Sequence, residues 1–247
     1  MGKLKALGSV FRVMSDTVSL RKYNGELQEA IREGDQEKQR EVILRGTQDW
    51  SHKVLNTLHV DINVIGEENL PEKGPVVFIA NHQSYIDIPC VLYASKNFQT
   101  GFIAKKVLKK VPVIGPWITR IGSLFIDRGN ARASLQTIKD GIELLKNGNS
   151  LVIFPEGTRA QDGVMKSFKA GSFKLAFKSG APIVPVTIHD TFKIYERQGY
   201  VVPGKVDLVI HKPMDVTGLD KHGQTLVVQE VEAMIRAKLE ELEGLEK

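Results

Sequence analysis

From Val60 onward, short apolar runs alternate with longer segments in which apolar residues recur at helical spacing, and this alternation constrains the fold more than any other feature of the chain. The pattern predicts strands over residues 61–65, 76–80, 102–104, 123–126, 151–154, 183–188 and 205–210. It predicts helices over residues 86–94, 131–147, 172–179 and 225–243. Such alternation is typical of an α/β domain, here with a mixed, mostly parallel central sheet flanked by helices.

Length and composition bound the organisation of the chain. The 247 residues, 42% of them hydrophobic, are enough to bury one substantial core. The sequence contains no internal repeat and no low-complexity linker. We therefore predict two regions, a helical region over residues 1–58 and an α/β domain over residues 59–247.

The first region is predicted to form an amphipathic helical hairpin. Apolar residues recur at helical spacing, among several lysines and arginines, at Leu4, Leu7, Phe11, Met14 and Val18. A helix with this pattern either lies in a membrane surface or packs on its own domain, and these residues alone leave both open. A second helical stretch over residues 26–58, broken or loosened at Gly34 and Gly46, follows a turn predicted near residues 24 and 25. No run is apolar for long enough to predict a transmembrane span.

The segment NHQSYID, residues 81–87, carries the first candidate for catalysis. The segment directly follows the apolar run 76–80, with His82 as its second residue, and Asp87 lies five residues after His82. A carboxylate in that place can accept a hydrogen bond from one ring nitrogen of the histidine and fix its tautomer, so that the other nitrogen acts as a base. A histidine followed by an aspartate is a weak signal alone, and the segments downstream decide its meaning.

Three such segments follow in order: GSLFIDR over residues 122–128, FPEGTR over residues 154–159 and PIVPVTI over residues 182–188. Together with NHQSYID they resemble the glycerolipid acyltransferase family, and most of all its bacterial 1-acyl-sn-glycerol-3-phosphate acyltransferases. The resemblance spans about residues 60–212. Two departures are small: Ala160 stands where serine is frequent, and the amino-terminal region lacks the long apolar segment of many relatives.

The resemblance implies a reaction and roles for two residues. Members of the family move a fatty acyl group from a thioester onto a hydroxyl of glycerol 3-phosphate or a lysophospholipid. The resemblance to the bacterial enzymes implies lysophosphatidic acid as the acceptor, phosphatidic acid as the product, and acyl carrier protein or coenzyme A as the carrier of the acyl group. His82 would be the general base and Asp87 would hold its ring, without a covalent acyl-enzyme. Glycerol 3-phosphate or another lysophospholipid is an alternative acceptor. A lipid-binding protein without catalysis is the alternative from another class, although it would need no base.

The resemblance also implies a site for the acceptor phosphate. Arg128 and Arg159 end two of the motifs, and a guanidinium group can bind phosphate oxygens in a bidentate manner. Lys105, which follows a predicted strand, is a third cation. Glu156, Gly157 and Thr158 are expected to position the substrate, with Glu156 orienting Arg159 or Lys105, or accepting a substrate hydroxyl.

The charge of the chain favours anionic partners. The net charge is +5, and the sequence pI is about 9.1. Basic residues concentrate in KKVLKK, residues 105–110, directly before an apolar stretch, which suits a phospholipid surface or an acidic acyl carrier. Because aromatic residues are not interleaved with these cations, nucleic-acid binding is not expected. The lipid substrate that the resemblance implies favours membrane docking by the helical hairpin of residues 1–58 over packing on the domain. The predicted location is therefore the cytoplasmic face of the cell membrane, at the interface and without a full span.

Two nucleophilic side chains and a metal site are the alternatives to this interpretation. Ser84 lies within the same turn as His82 and has no GxSxG elbow, so we predict a turn or helix-cap residue. Cys90, the one cysteine, is predicted to be a small core residue. His82 and Asp87 lack neighbouring histidines or cysteines that could complete a metal site, so no metal and no bound cofactor are expected.

Overall fold

The computed structural model of the protein describes residues 2–126, 131–160 and 162–245, without the side chains of residues 2–7, 10 and 131–134. Its centre is one seven-stranded sheet in the spatial order β1-β7-β6-β2-β5-β3-β4. The strands are β1 (Val60–Ile65), β2 (Val77–Ala80), β3 (Thr100–Lys105), β4 (Leu124–Ile126), β5 (Ser150–Ile153), β6 (Ile183–His189) and β7 (Gly204–Ile210).

The sheet is mixed and mostly parallel, as predicted. Strands β2 to β6 run in one direction, and β2 lies between β5 and β6, with Phe78 opposite Val152 on one side and Val184 on the other. Strand β7 is antiparallel to β6, and β1 is parallel to β7. Five neighbouring strands therefore end at one edge of the sheet, where the loops of an open α/β fold bind ligands.

Helices cover both faces of this sheet. They are α1 (Gly2–Val18), α2 (Asn24–Glu33), α3 (Gln36–Thr57), α4 (Asp87–Ala94), α5 (Ile114–Arg120), α6 (Ala131–Lys146), α7 (Lys174–Ser179), α8 (Thr191–Ile194) and α9 (Lys221–Leu245). All seven predicted strands and the four predicted helices of the α/β domain are present, with ends shifted by a few residues. The short helices α5 and α8 were not predicted, because neither is long enough to show a helical period.

Two hydrophobic clusters form the core, one on each face. Along β2, Phe78 and Ala80 point into the cluster that contains α3 and α4, whereas Val77 and Ile79 point into the cluster beneath α6, α7 and α9. Because both faces of the central strands are covered, their sequences are continuous apolar runs rather than alternating ones. Leu27, on α2, lies in the same cluster as Phe78, so the amino-terminal helices and the sheet share a core.

The corner of the amino-terminal helices lies at a different place from the one predicted. Residues 24 and 25 do not form a turn, because α2 begins at Asn24 directly after a short 3₁₀ helix. The chain reverses instead at Gly34, whose φ of 70° ends α2, and at Asp35, whose side chain accepts the backbone N–H of Lys38 at 2.9 Å and caps α3. The prediction of a break at Gly34 is therefore confirmed.

The predicted break at Gly46 is wrong. Helix α3 passes through this residue without interruption. An ideal Cβ atom on Gly46 would lie 2.5 Å from Cη2 of Trp117, so the glycine lets α3 approach the indole ring closely. Its role is close packing against α5, for which a residue without a side chain is required.

Helix α1 has an inner and an outer side. On the inner side Val13 packs against the core, and Thr17 accepts a hydrogen bond of 3.0 Å from the indole N–H of Trp50. On the outer side Phe11 is 75% exposed and Val18 is 42% exposed. The side chains of Leu4 and Leu7 lie outside the described residues. Among the helices that are described, none is sufficiently long and apolar to cross a bilayer.

Candidate active site

The motif loops meet at the carboxyl edge of the sheet. Because β2, β5 and β6 are parallel neighbours, the segments that follow Ala80, Ile153 and His189 all leave the sheet on the same side. Asn81, the first residue after β2, fixes the start of its loop. Its side chain donates to the carbonyl of Ile188 and accepts the N–H of the same residue, both at 2.8 Å.

The carboxylate of Asp87 organises the loop that follows. Asp87 is fully buried, and its Oδ2 atom accepts the backbone N–H groups of Gln83 at 2.7 Å and Ser84 at 2.9 Å. The same oxygen lies 2.7 Å from Nδ1 of His82. The hydroxyl of Thr191 donates to the other oxygen, Oδ1, at 2.5 Å. A buried carboxylate is tolerated only with such compensation, and each of these donors is thereby fixed in place.

The geometry assigns the tautomer of His82. Because the carboxylate of Asp87 only accepts hydrogen bonds, Nδ1 carries the proton, and Nε2 is left with a lone pair that can accept one. The ring also stacks on Phe154, with centroids 4.0 Å apart and planes inclined by 16°. The His82 side chain remains 16% exposed, so a substrate can reach it. A positioned imidazole of this kind can act as a general base.

Glu156 joins two of the motif loops. It is buried, and its two oxygens accept backbone N–H groups, Oε1 from His82 at 2.6 Å and Oε2 from Lys166 at 2.9 Å. The backbone N–H of Ala160 in turn donates to the carbonyl of His82 at 2.7 Å. Burial raises the pKa of Glu156 above its ordinary value, while the two backbone donors act in the opposite direction. Both carboxylate oxygens therefore contact the loop backbone.

Arg159 is held by a carboxylate that the motifs do not contain. Its Nη1 atom donates to Oε1 of Glu196 at 2.6 Å, so the residue that orients Arg159 is Glu196 rather than Glu156. The guanidinium carbon lies 3.6 Å from the ring centroid of Tyr85, within the range of a cation–π interaction. Tyr85 belongs to the loop of His82, so Arg159 packs on the loop that carries the predicted base. These side chains line an open cavity of about 460 Å³.

The other predicted substrate-binding residues are placed as follows. Lys105 is exposed and ends β3 at the same edge of the sheet. Gly157 has a φ of 74°, a left-handed backbone conformation that favours glycine. Thr158 is exposed beside it. Arg128 lies outside the described residues, and its role stays a prediction.

The two competing nucleophiles, Ser84 and Cys90, are not placed to attack a substrate. The hydroxyl oxygen of Ser84 accepts the backbone N–H of Ile86 at 3.1 Å, at the start of α4, as predicted for a turn residue. Cys90 is fully buried in the core, as predicted, and burial together with the nearby charge of Asp87 raises the pKa of its thiol well above the ordinary value. A thiol in that state is a poor nucleophile.

Four residues of the site were not identified from the sequence. Phe154 and Tyr85 lie inside the motifs, but their contacts depend on how two distant loops meet. Thr191 and Glu196 follow β6 in a segment with no recognisable pattern. The only signal for Thr191 is its position just after a predicted strand that neighbours β2, since polar residues at such positions face the site.

A scan against protein families identifies the class. A family model described as "Acyltransferase" matches residues 61–189, just over half of the chain, from β1 to the end of β6. The matched residues include His82, Asp87 and Arg159. The chain therefore belongs to this acyltransferase family, and the predicted resemblance is confirmed.

Individual relatives that the chain resembles are named as 1-acyl-sn-glycerol-3-phosphate acyltransferases. The chain is 30% identical over 184 residues, 73% of its length, to a 1-acyl-sn-glycerol-3-phosphate acyltransferase of Borreliella burgdorferi, covering 72% of that relative. It is 40% identical over 156 residues, 62% of its length, to the chloroplastic 1-acyl-sn-glycerol-3-phosphate acyltransferase LPAT1 of Arabidopsis thaliana. The chain spans 43% to 46% of the length of this and two other plant and algal relatives.

A solved structure matches nearly the whole chain. It is the crystal structure of PlsC, the 1-acyl-sn-glycerophosphate (LPA) acyltransferase from Thermotoga maritima, with a TM-score of 0.82 and 32% sequence identity. The match covers 98% of both chains, so it includes the amino-terminal helices as well as the sheet.

The two bonds to Glu156 lead to a prediction. Glu156→Gln offers one acceptor oxygen instead of two, so one backbone N–H in the site loses its partner. We expect the free energy of unfolding to fall by about 1–3 kcal/mol. Urea denaturation measures it, with Glu143→Gln, a change at an exposed ion pair, as the control expected to lose less than about 0.5 kcal/mol. Equal stability of the two variants would contradict this role.

Proposed function

We propose that the protein transfers a fatty acyl group from a thioester to the free 2-hydroxyl of 1-acyl-glycerol 3-phosphate and so forms phosphatidic acid. The observation that carries the proposal is the contact of 2.7 Å between Nδ1 of His82 and the buried carboxylate of Asp87, with Arg159 packed on Tyr85 of the same loop. The names of the relatives from Borreliella burgdorferi and Thermotoga maritima support this choice of acceptor.

The proposed reaction needs one base and no covalent intermediate. Nε2 of His82 takes the proton of the acceptor hydroxyl while its oxygen attacks the thioester carbonyl and forms the new ester bond. Asp87 stabilises the imidazolium that results. The carbon–sulfur bond then breaks, and the proton passes from Nε2 to the leaving thiolate. The products are an ester and a free thiol, and His82 returns to its starting state.

Arg159 is proposed to bind the acceptor phosphate. Its contact with Glu196 uses Nη1, the ring of Tyr85 covers one face, and the Arg159 side chain is 17% exposed. A guanidinium that is fixed in this way can present its remaining N–H groups to phosphate oxygens. Binding the phosphate there would place the glycerol backbone next to His82, which favours an acceptor with a phosphate over one without.

The donor is proposed to be an acyl thioester of acyl carrier protein or coenzyme A. Lys105 and the 3₁₀ helix Lys106–Lys110 place four lysines at the edge of the sheet where the site lies, and either carrier is anionic. An apolar cavity of about 260 Å³ lies near the ends of β3 and β4 and is lined by Ile103, Ile126 and Ile138. It suits an acyl chain, because its wall offers mostly hydrocarbon contacts.

The amino-terminal helix is proposed to dock the protein on the cytoplasmic face of the cell membrane. Phe11 and Val18 are exposed on the outer side of α1, while its inner side is used for packing. Exposed apolar residues next to cations such as Arg12 and Arg21 fit the boundary between headgroups and acyl chains. Docking would bring the site to its lipid acceptor without a membrane span.

One prediction of the proposed reaction concerns the base. His82→Ala should lower kcat about 10²- to 10⁴-fold, because no other group takes the hydroxyl proton. Asp87→Asn should also lower kcat severely, because it removes the charge that stabilises the imidazolium. Steady-state assays with lysophosphatidic acid and acyl thioesters measure both, and circular dichroism checks folding. The exposed residue His222 provides a control, since His222→Ala should leave kcat unchanged. Near-normal kcat without His82 would exclude the proposed base.

A second prediction concerns the acceptor. Arg159→Ala should raise the KM for lysophosphatidic acid about 10- to 100-fold and leave the KM for the thioester unchanged, because a charge-assisted hydrogen bond to phosphate is lost. Arg159→Lys should keep the charge but not the bidentate geometry, so its KM should lie between the two. Assays with monoacylglycerol, which has no phosphate, serve as the control. Equal losses with both acceptors would assign Arg159 to structure instead.

A third prediction concerns docking. Phe11→Glu combined with Val18→Glu should reduce binding to vesicles that contain anionic lipid by about tenfold or more, because apolar area no longer enters the bilayer. The activity on short-chain, dispersed acceptors should be kept. Vesicle flotation measures the binding, and Leu245→Glu, at an apolar residue of α9 that is 76% exposed, is the matched control. Unchanged flotation of the double variant would show that α1 does not dock.

A further inference from the structure

The segment from Asp190 to Glu196, hereafter the α8 segment, contributes two side chains to the site. It begins where β6 ends, and Asp190 has a left-handed φ of 73°, which turns the chain at the carboxyl edge of the sheet. Helix α8 is a single turn. Thr191, at its start, and Glu196, just after its end, point to different halves of the site.

Thr191 contacts the half of the site that holds the base. The residue is fully buried, and its hydroxyl donates to Oδ1 of Asp87 at 2.5 Å, with Oε1 of Gln83 further away at 3.4 Å. A hydroxyl has one proton, so the shorter contact receives it. Because Oδ2 already accepts three donors, Thr191 is the partner that fixes the rotation of the carboxylate and so the direction of the His82 ring.

Glu196 contacts the half that holds the acceptor. Its side chain is 4% exposed, and its Oε1 atom accepts both Nη1 of Arg159 at 2.6 Å and the backbone N–H of Tyr85 at 3.3 Å. One carboxylate oxygen thus fixes the guanidinium relative to the loop that carries His82. Within the described residues, the other oxygen, Oε2, is buried without a hydrogen-bond partner. The Glu196 side chain therefore holds Arg159 against the loop of Tyr85, although it places a negative charge next to the proposed phosphate site.

We propose that Thr191 and Glu196 are positioning residues for two different steps, Thr191 for proton transfer through Asp87 and Glu196 for acceptor binding through Arg159. Both roles rest on the proposed acyl transfer. The α8 segment thereby sets the distance between the base and the bound phosphate, because the two contacts are separated by only one helical turn. Neither residue belongs to the segments NHQSYID, GSLFIDR, FPEGTR or PIVPVTI.

Removing the carboxylate of Glu196 changes phosphate binding in opposite directions according to its role. The direction of that change distinguishes positioning of Arg159 from simple charge compensation. If the carboxylate only offset the charge of Arg159, its removal would strengthen phosphate binding, because the net charge of the site would become more positive. If it positions the guanidinium, its removal weakens binding, because Arg159 then loses its fixed orientation. Glu196→Gln keeps an acceptor oxygen for Arg159 without the charge, so it distinguishes hydrogen bonding from charge.

The test of Thr191 compares an isosteric variant with a conservative one. Thr191→Val should lower kcat about 10- to 100-fold, the effect of losing one hydrogen bond to a charged group, and leave the acceptor KM unchanged. Thr191→Ser should restore kcat to within a few fold. The downfield proton NMR signal of the His82 Nδ1–H should shift in the valine variant and return in the serine variant. Equal kcat in all three proteins, or equal loss in both variants, would overturn the role; if the valine variant does not fold, Thr191→Ala replaces it.

The test of Glu196 separates the two substrates. Glu196→Ala should raise the KM for lysophosphatidic acid about 10-fold or more without changing the KM for the thioester, and Glu196→Gln should recover most of the loss. The exposed neighbour Gln198 supplies the control, since Gln198→Ala should match the unsubstituted protein. A lower or unchanged acceptor KM in Glu196→Ala would overturn the positioning role.

Two further measurements test the positioning roles of Thr191 and Glu196 without requiring acyl transfer. Calorimetric titration with short-chain lysophosphatidic acid, without any thioester, should show weaker binding for Glu196→Ala than for the unsubstituted protein. The NMR signal of His82 likewise needs no substrate. If the unsubstituted protein transfers no acyl group, the proposed function fails, whereas these two measurements still decide the positioning. If it is active and the variants equal it throughout, the positioning fails and the function stands.

Discussion

The buried carboxylate of Asp87 is the interaction on which the rest of the site depends. A charge without access to water must be met by donors, and the fold supplies two backbone N–H groups, one imidazole and one hydroxyl. The backbone donors close the turn after β2, and the imidazole is the proposed base. The hydrogen bonds to the Asp87 carboxylate therefore determine the shape of the loop after β2 and the tautomer of His82. They also join the segment that follows β6 to this loop.

Parallel strands make this convergence possible. Three loops that are distant in the chain leave neighbouring strands at one edge, so short contacts can join them. Glu156 joins the loop after β5 to the loop after β2 through the backbone of His82, and Glu196 joins both to the segment after β6 through Arg159 and Tyr85. Each carboxylate contacts groups from another loop, so the three loops hold one arrangement rather than moving independently.

The sequence predicts most of the fold and only part of the site, for physical reasons that differ. Strands such as β2 are covered on both faces, so their sequences are continuous apolar runs. Such runs can be recognised from local composition alone. Pairs such as Thr191 with Asp87, 104 residues apart, and Arg159 with Glu196, 37 residues apart, have no local signature, because the topology of the sheet brings them together. The passage of α3 through Gly46 was missed for the same reason: the neighbour that requires a glycine is Trp117, on another helix.

The burial of Cys90 has a consequence for the chemistry of turnover. Every cycle of the proposed reaction releases a free thiol next to the protein, and once a cellular oxidant has converted such thiols into a disulfide, an exposed cysteine thiolate would attack that disulfide and form a mixed one. The chain has one cysteine, which is shielded by the core and disfavoured as a thiolate by burial and by Asp87. The protein therefore offers its own product no partner for a mixed disulfide, and its activity should be indifferent to the thiol–disulfide balance around it.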